Sequence, residues 1–260
     1  MRKKLGVNID HIAVLREARR VNSPQILDAV SIVERSGGDQ ITIHLREDRR
    51  HIVDSDVFEI AKHSNLPLNL EMATAGEIVE IAKKLRPHRV TIVPEKREEV
   101  TTEGGLDLVH NFEKLSKVVG ELQEEEIEVS LFIDPDENSV KLSKDLGVEW
   151  VELHTGAFAN LFAGLYGNLQ QSHHKIDSLP KSRKDLENAL NSEIMKIEES
   201  AKLSKSLHLK VAGGHGLNYQ NLELLSCISE IEEFNIGQSI IARSVFVGLE
   251  NAIREMKNLL

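Results

Sequence analysis

Eight short runs rich in Val, Ile and Leu recur along the whole chain, at residues 5–10, 40–45, 66–72, 89–94, 128–134, 150–155, 209–214 and 234–237. Most are near-continuous apolar stretches, the pattern expected of parallel strands buried on both faces. Segments with helical spacing lie between them. Ser23 reads as an N-cap with Pro24 at the first helical position, Ile26, Ala29, Val30 and Val33 form an apolar face, and Gly37-Gly38 ends it. Asp54 or Ser55 caps a helix running to residue 64, and Asp136 caps one ending at residue 147. Further helical patterns cover 75–86, 111–126, 192–207, 218–229 and 241–259. Strand and helix alternate eight times without a change of composition between the halves. This predicts an α/β protein with one domain over residues 1–260, a closed (β/α)8 barrel, and 260 residues is close to the roughly 250 such barrels use. A doubly wound open sheet is the structural alternative, but no Gly-x-Gly-x-x-Gly follows the first run. Residues 156–182, after the sixth strand, read as an irregular insertion or lid too long for a plain connection.

Charge narrows the function. With 42 acidic against 32 basic side chains the formal net charge is −10, which argues against a nucleic-acid or anionic-membrane binder. A lone cysteine, Cys227, excludes an intrachain disulfide and fits a reducing, cytoplasmic setting; its position on the predicted seventh helix suggests core packing. The opening residues read as a strand rather than a signal peptide, and no run approaches the about 18 apolar residues of a membrane span.

In a barrel of this kind the site sits at the carboxyl ends of the strands. Those ends carry polar and ionisable groups with no place in a core: Asn8, Asp10 and His11 after the first strand, His44 and Arg46 after the second, Glu71 in the third, Glu152 and His154 in the sixth, His215 after the seventh. Asn8 and Asp10 are two apart and share a face, as do Glu152 and His154. Glu71, between Leu70 and Met72, is a carboxylate in an apolar run, so its pKa is expected to rise and suit proton transfer, unless an arginine across the barrel pairs with it. Two anion sites are expected. One is Gly213-Gly214-His215-Gly216 with Gly237, where backbone N–H groups approach a phosphate. The other is Arg46, His51 and Thr101-Thr102, the last in a loop whose glycines (Gly104, Gly105) suit a hinged lid. Glu47, Asp48 and Arg50 read as a solvated, self-paired charge cluster, and Trp150 as structural. No helical His-x-x-x-His or first-strand His-x-His supports a metal centre, and no nucleotide or flavin signature is present. An isomerase or aldolase barrel stays open, although an aldolase needs a strand-borne lysine and Lys210 lies at the wrong end of its strand. A non-catalytic phosphometabolite-binding protein would keep the glycines and arginines without needing Glu71 or His215.

Several of these runs resemble the pyridoxine 5′-phosphate synthase family. They are Gly6-Val7-Asn8-Ile9-Asp10-His11, Thr42-Ile43-His44-Leu45-Arg46-Glu47-Asp48-Arg49-Arg50-His51-Ile52, Asn69-Leu70-Glu71-Met72-Ala73, Val93-Pro94-Glu95-Lys96-Arg97, Ser130-Leu131-Phe132-Ile133-Asp134 and Glu152-Leu153-His154-Thr155-Gly156. The resemblance implies a (β/α)8 barrel with extra helices, assembled as a homo-octamer built from dimers, acting on small phosphorylated substrates without metal or organic cofactor. The implied reaction condenses 1-deoxy-D-xylulose 5-phosphate with 3-amino-2-oxopropyl phosphate to pyridoxine 5′-phosphate, phosphate and water. By resemblance His44 and Glu71 accept protons, His215 donates one and Glu152 stabilises the transition state. Asn8, Arg19, Gly216 and Gly237 would hold the amino-ketone phosphate, and Asp10, His11, Arg46, His51 and Thr101 the deoxyxylulose phosphate. Three departures stand out: Ala212-Gly213-Gly214-His215-Gly216 where the family often has Asn-Ala-Gly-His-Gly, Gln238 where it commonly has His, and a long 156–182 connection. Gln238 still donates a hydrogen bond to phosphate but carries no charge, so weaker or less pH-dependent binding is expected there.

Overall fold

The computed structural model describes residues 2–95 and 104–260. Its strands are β1 (Lys4–Asn8), β2 (Gln40–His44), β3 (Leu68–Met72), β4 (Arg89–Ile92), β5 (Glu128–Ile133), β6 (Trp150–His154), β7 (Lys210–Gly214) and β8 (Glu233–Ile236). They pair in parallel and in chain order, and β8 returns to β1, closing the expected barrel. The helices that cover it are α1 (Asp10–Glu17), α2 (Ile26–Ser36), α3 (Asp54–His63), α4 (Gly76–Leu85), α5 (Leu108–Gln123), α6 (Glu137–Asp145), α7 (Gly156–Tyr166), α8 (Arg183–Ser206), α9 (Glu223–Ser226), α10 (Gln238–Val247) and α11 (Leu249–Lys257). Three of them, α1, α7 and α11, are additional to one helix per strand. Among the described residues no helix is long and apolar enough to cross a membrane.

The strands are not apolar on both faces. Register pairing keeps side chains in phase around the barrel, as in Thr42 opposite Asn69, Asn69 opposite Arg89, and His44 opposite Glu71. The outward set is apolar (Leu5, Val7, Ile41, Ile43, Leu70, Val90, Val129, Val151, Val211, Phe234) and is fully buried under the helices. Apart from Phe132 and Trp150, the inward set is polar or small. A barrel interior is usually filled by layers of branched aliphatics; here hydrogen bonds fill it instead. Arg89 Nη1 donates to Glu233 Oε1 at 2.8 Å, and Gln40 Nε2 donates to the same oxygen at 3.0 Å. Thr42 Oγ1 donates to Asn235 Oδ1 at 3.1 Å, and Asn235 Nδ2 donates to Glu152 Oε2 at 2.7 Å. The Arg89 guanidinium lies 3.7 Å above the Trp150 ring, whose Nε1 donates to Glu128 at 2.8 Å, so the amino-end floor of the barrel is sealed by charge and aromatic contacts. Small residues make room for this network: a Cβ on Gly6 would lie 2.0 Å from Asn235 Oδ1, and one on Gly214 would lie 2.1 Å from Glu152 Oε1.

Several expected boundaries move for local reasons. Ser23–Pro24 is a cis peptide, and α2 starts at Ile26 after an extended Gln25. Residues 156–182 are not irregular throughout, because α7 occupies their first eleven positions. The long α8 begins at Arg183, where the Ser182 hydroxyl accepts from Asp185 N–H at 3.1 Å. Most of 218–229 is turn rather than helix, since Asn218 and Asn221 side chains take up the local backbone N–H groups. Gly248, at φ +80°, divides the expected 241–259 helix into α10 and α11. Cys227 is exposed rather than packed in the core.

Arg89 and Glu233 are both almost wholly buried. Removing one charge would strand the other, so Arg89→Ala is expected to cost about 3–5 kcal/mol in equilibrium denaturant unfolding. The paired change Arg89→Met with Glu233→Gln is expected to cost less than either charge removal alone.

Candidate active site

A cavity of about 600 Å³ opens at the carboxyl end of the barrel. Its walls include Asn8, Asp10, His11, His44, Arg46, His51, Glu71, Glu152, His215, Gly216, Gly237 and Gln238. Residues from six separate stretches of chain therefore meet at one rim. Two of the expected residues are not among them. Arg19, in the turn after α1, is exposed and outside the lining, and Thr101 lies outside the described residues.

The Asn8–Asp10 pair joins β1 to α1. Asn8 Nδ2 donates to Asp10 Oδ2 at 2.9 Å, while Asp10 Oδ1 accepts from the His44 backbone N–H at 2.8 Å. Asp10 thus ties the first strand end to the second. His44 Nε2 lies 3.5 Å from Glu95 Oε2, and Glu95 Oε1 accepts from Glu47 N–H at 3.0 Å. Burial alone would raise the Glu95 pKa, but His44, the Glu47 amide and Arg46 together hold it below the usual value. His51 Nδ1 accepts from Ile52 N–H at 2.8 Å, which leaves Nε2 carrying the ring proton in the neutral form. The loop bearing it is held by Arg16, whose guanidinium donates to His51 O at 3.0 Å and forks onto Asp56 at 2.7 and 2.8 Å. Arg50 pairs with Asp48 at 2.6 Å, as the self-paired reading expects, yet it also reaches the cavity wall.

Three groups have strongly displaced protonation. The Glu71 carboxyl is pushed well above the carboxylate range by its surrounding protein, and then by the negative charges of Glu152 and Asp10. No described arginine pairs with it; the cross-barrel arginine binds Glu233 instead. Glu152 is raised to about 7, chiefly by burial and then by Glu233, against the opposing pull of the Asn235 amide and Arg89. His215 is lowered to about 4 by burial and then by His154. The site therefore holds two carboxyl groups whose pKa burial raises and an imidazole whose pKa burial lowers.

Residues of both expected anion sites line this cavity. Gly237 precedes α10, whose N-terminus has no side-chain cap, so its first N–H groups are free to meet a phosphate beside Gly216. His11, Arg46, Arg50 and His51 also line the cavity. Among the described residues no group of three or more His, Cys, Asp or Glu is arranged to hold a metal ion. Asn235 stands among the polar strand ends in the sequence, whereas Glu95, Arg16 and Asp134 carry no role there. Glu95 and Asp134 follow β4 and β5, so the rule that found the other rim residues would have reached them.

Comparison with known proteins now decides the family. Residues 5–260 match the family described as "Pyridoxal phosphate biosynthesis protein PdxJ". The chain belongs to the PdxJ family. It is 61% identical to a pyridoxine 5′-phosphate synthase of Aliarcobacter butzleri (98% of each chain covered). It is 58% identical to one of Sulfurovum sp. (98% of this chain, 99% of the relative). The resemblance read from the strand-end motifs is borne out. At the level of fold alone, 3-hexulose-6-phosphate synthase superposes with a TM-score of 0.59 at 13% identity, covering 99% of each chain.

In this PdxJ barrel the buried Glu152 has a consequence for stability. Its folded pKa of about 7 exceeds the ordinary 4.5, so between those values unfolding releases a proton and stability falls as pH rises. Glu152→Gln removes that dependence. Thermal melts should place the variant above the parent at pH 8, with the gap closing toward pH 4.5.

Proposed function

We infer that this PdxJ-family barrel condenses 1-deoxy-D-xylulose 5-phosphate with 3-amino-2-oxopropyl phosphate to pyridoxine 5′-phosphate, inorganic phosphate and water. The observation that carries this reading is the match to pyridoxine 5′-phosphate synthases at up to 61% identity over nearly the full length. The cavity chemistry supports it. Two phosphorylated substrates need two anion pockets, and Gly216 and Gly237 at the α10 N-terminus line the same cavity as Arg46 and His51. Fixing both phosphates holds the amine and ketone in reacting geometry.

The reaction starts as the amine attacks the ketone, giving an imine with loss of water. Proton shifts lead to an enamine, a second water and one phosphate leave, and water addition, carbon–carbon closure and a last dehydration give the pyridine ring, for a net release of one phosphate and two waters. Each step moves a proton, so groups that exchange protons near neutrality are needed on more than one side of the ring. Glu71, raised by its surroundings, serves as acceptor and returns its proton later in the cycle. His44, its backbone fixed by Asp10, serves as a second acceptor. Glu152 lines the same cavity and stabilises positive charge that develops in the transition state when it is ionised. His215 is uncharged in the free site. A phosphate dianion bound beside Gly216 favours its protonated form, so its donor role arises on binding. At the amino-ketone phosphate pocket Gln238 contributes hydrogen bonds without charge. Lys210 does not suit an enzyme-linked imine, because it pairs with Glu128 at 2.8 Å at the far end of the barrel.

An oligomer fits the surface. Val14, Leu15 and Val21 on and after α1, with Val245 and Phe246 on the adjoining α10, are exposed apolar side chains beside Arg19. We assign this face to pairing between copies, in dimers that build the octamer, with Arg19 brought toward a cavity by that pairing. A cytoplasmic setting suits the exposed thiol of Cys227.

Incubation with both substrates should yield pyridoxine 5′-phosphate, detected by its absorbance and mass; no product under conditions that keep the protein folded would refute the reading. Glu71→Gln should lower kcat by about 100-fold or more while leaving KM within a few-fold, because a positioned acid/base contributes on that scale.

A further inference from the structure

His154 and Asp134 lie behind the cavity and belong to neither anion pocket. His154 is buried on β6, with its Nδ1 3.1 Å from Oδ1 of Asp134, which follows β5. The carboxylate oxygen accepts, so Nδ1 carries the hydrogen and Nε2 is left as an acceptor. Nε2 is buried and has no hydrogen-bond partner. The His154 ring packs between Phe132, with centroids 5.1 Å apart, and His215, also 5.1 Å away, meeting the latter edge to face at 66°. Gly156 leaves the space for this arrangement: a Cβ there would lie 2.4 Å from His154 Nε2 and 3.1 Å from His215 Cδ2.

His215 needs such support. It holds φ at +81°, a left-handed conformation costly for a residue with a Cβ, at the end of β7. Its backbone is clamped by the neighbour of His154, since the Thr155 hydroxyl lies 2.6 Å from His215 O and 2.7 Å from Gly214 O. The next carbonyl, Gly216 O, accepts from Asn221 Nδ2 at 3.1 Å. With the main chain pinned, the remaining freedom of His215 is rotation of its ring. The surface that limits this rotation on the β6 side is the His154 imidazole, itself oriented by Asp134. Asp134 Oδ1 also accepts from Gly105 N–H at 2.9 Å, so the same carboxylate joins the start of the α5 segment to this stack.

We propose that Asp134 and His154 are positioning residues that fix the ring orientation of His215 in the cavity. The carboxylate sets the His154 tautomer and ring plane, and the edge-to-face contact transmits that plane to His215. Neither residue needs to touch substrate. The proposal rests on the proton-carrying role assigned to His215 above.

Steady-state kinetics of His154→Phe, Asp134→Ala and Asp134→Asn, with His215→Ala as reference, test it. Phenylalanine keeps the ring that packs on Phe132 and His215 but loses the bond to Asp134. The Asp134 side chain is half exposed, so its truncation should leave the fold intact. Expected are kcat losses of about 10- to 100-fold in His154→Phe and Asp134→Ala with KM for both substrates within about 3-fold, the scale of a small misplacement of a reacting group. Asp134→Asn, whose amide oxygen still accepts from Nδ1–H, should recover most of the loss. The His215 imidazole resonances should shift in the two impaired variants and return in Asp134→Asn. Near-parental kcat in both His154→Phe and Asp134→Ala, or unshifted His215 resonances, would overturn the proposal while leaving the proposed reaction standing. Full turnover by His215→Ala would overturn it together with the role given to His215.

Discussion

The barrel depends on burying polar side chains toward its axis and satisfying them there. Arg89, Glu233, Gln40, Asn235 and Glu152 form a connected hydrogen-bond path from floor to cavity. Low local dielectric makes each such bond stronger and each unmet partner costlier, so the path holds its members in one arrangement. The apolar halves of the same strands face the helices and supply the hydrophobic burial. Stability and site geometry are thereby divided between two faces of one sheet.

That division explains the proton chemistry. Glu152 ends the interior path, and its burial beside Glu233 raises its pKa, while Asn235 limits the rise. The charge on Glu152 in turn raises Glu71 across the cavity. Two carboxyls in one enclosure are thus displaced together, and neither is anchored by a bidentate arginine of its own. The imidazoles of His11, His51 and His215 move the opposite way, because burial disfavours their charged form. An incoming phosphate is the natural counter-charge for these rings, so binding and proton uptake are linked.

Much of this was legible from strand-end composition. Asn8, Asp10, His44, Glu71, Glu152 and His215 are polar residues inside or just after apolar runs, and closure of the barrel brings them to one rim. Counting apolar runs located all eight strands but misjudged their faces. Gln40, Thr42, Asn69, Thr91 and Ser130 alternate with aliphatics, and that period-two pattern was the evidence for a polar interior. The Arg89–Glu233 pair was hidden because its partners are 144 positions apart and each opens a strand, where a charge reads as solvent-exposed. Arg16 was equally opaque, since only the fold brings the α1 guanidinium onto Asp56 and His51 O. Arg19 shows the opposite limit: family likeness assigns it to a substrate, yet within one chain it is exposed and does not line the cavity.

The network beneath the cavity also constrains how this chain can diverge. Gly6 exists at its position to admit Asn235, and Asn235 orients Glu152, so no one of the three is free to drift by itself. Substitutions in the barrel lumen must arrive as compensated sets, whereas the helix-facing aliphatics tolerate exchange one at a time. Related barrels should therefore vary most where they are greasiest and least where they are wettest, the reverse of the usual expectation for a protein interior.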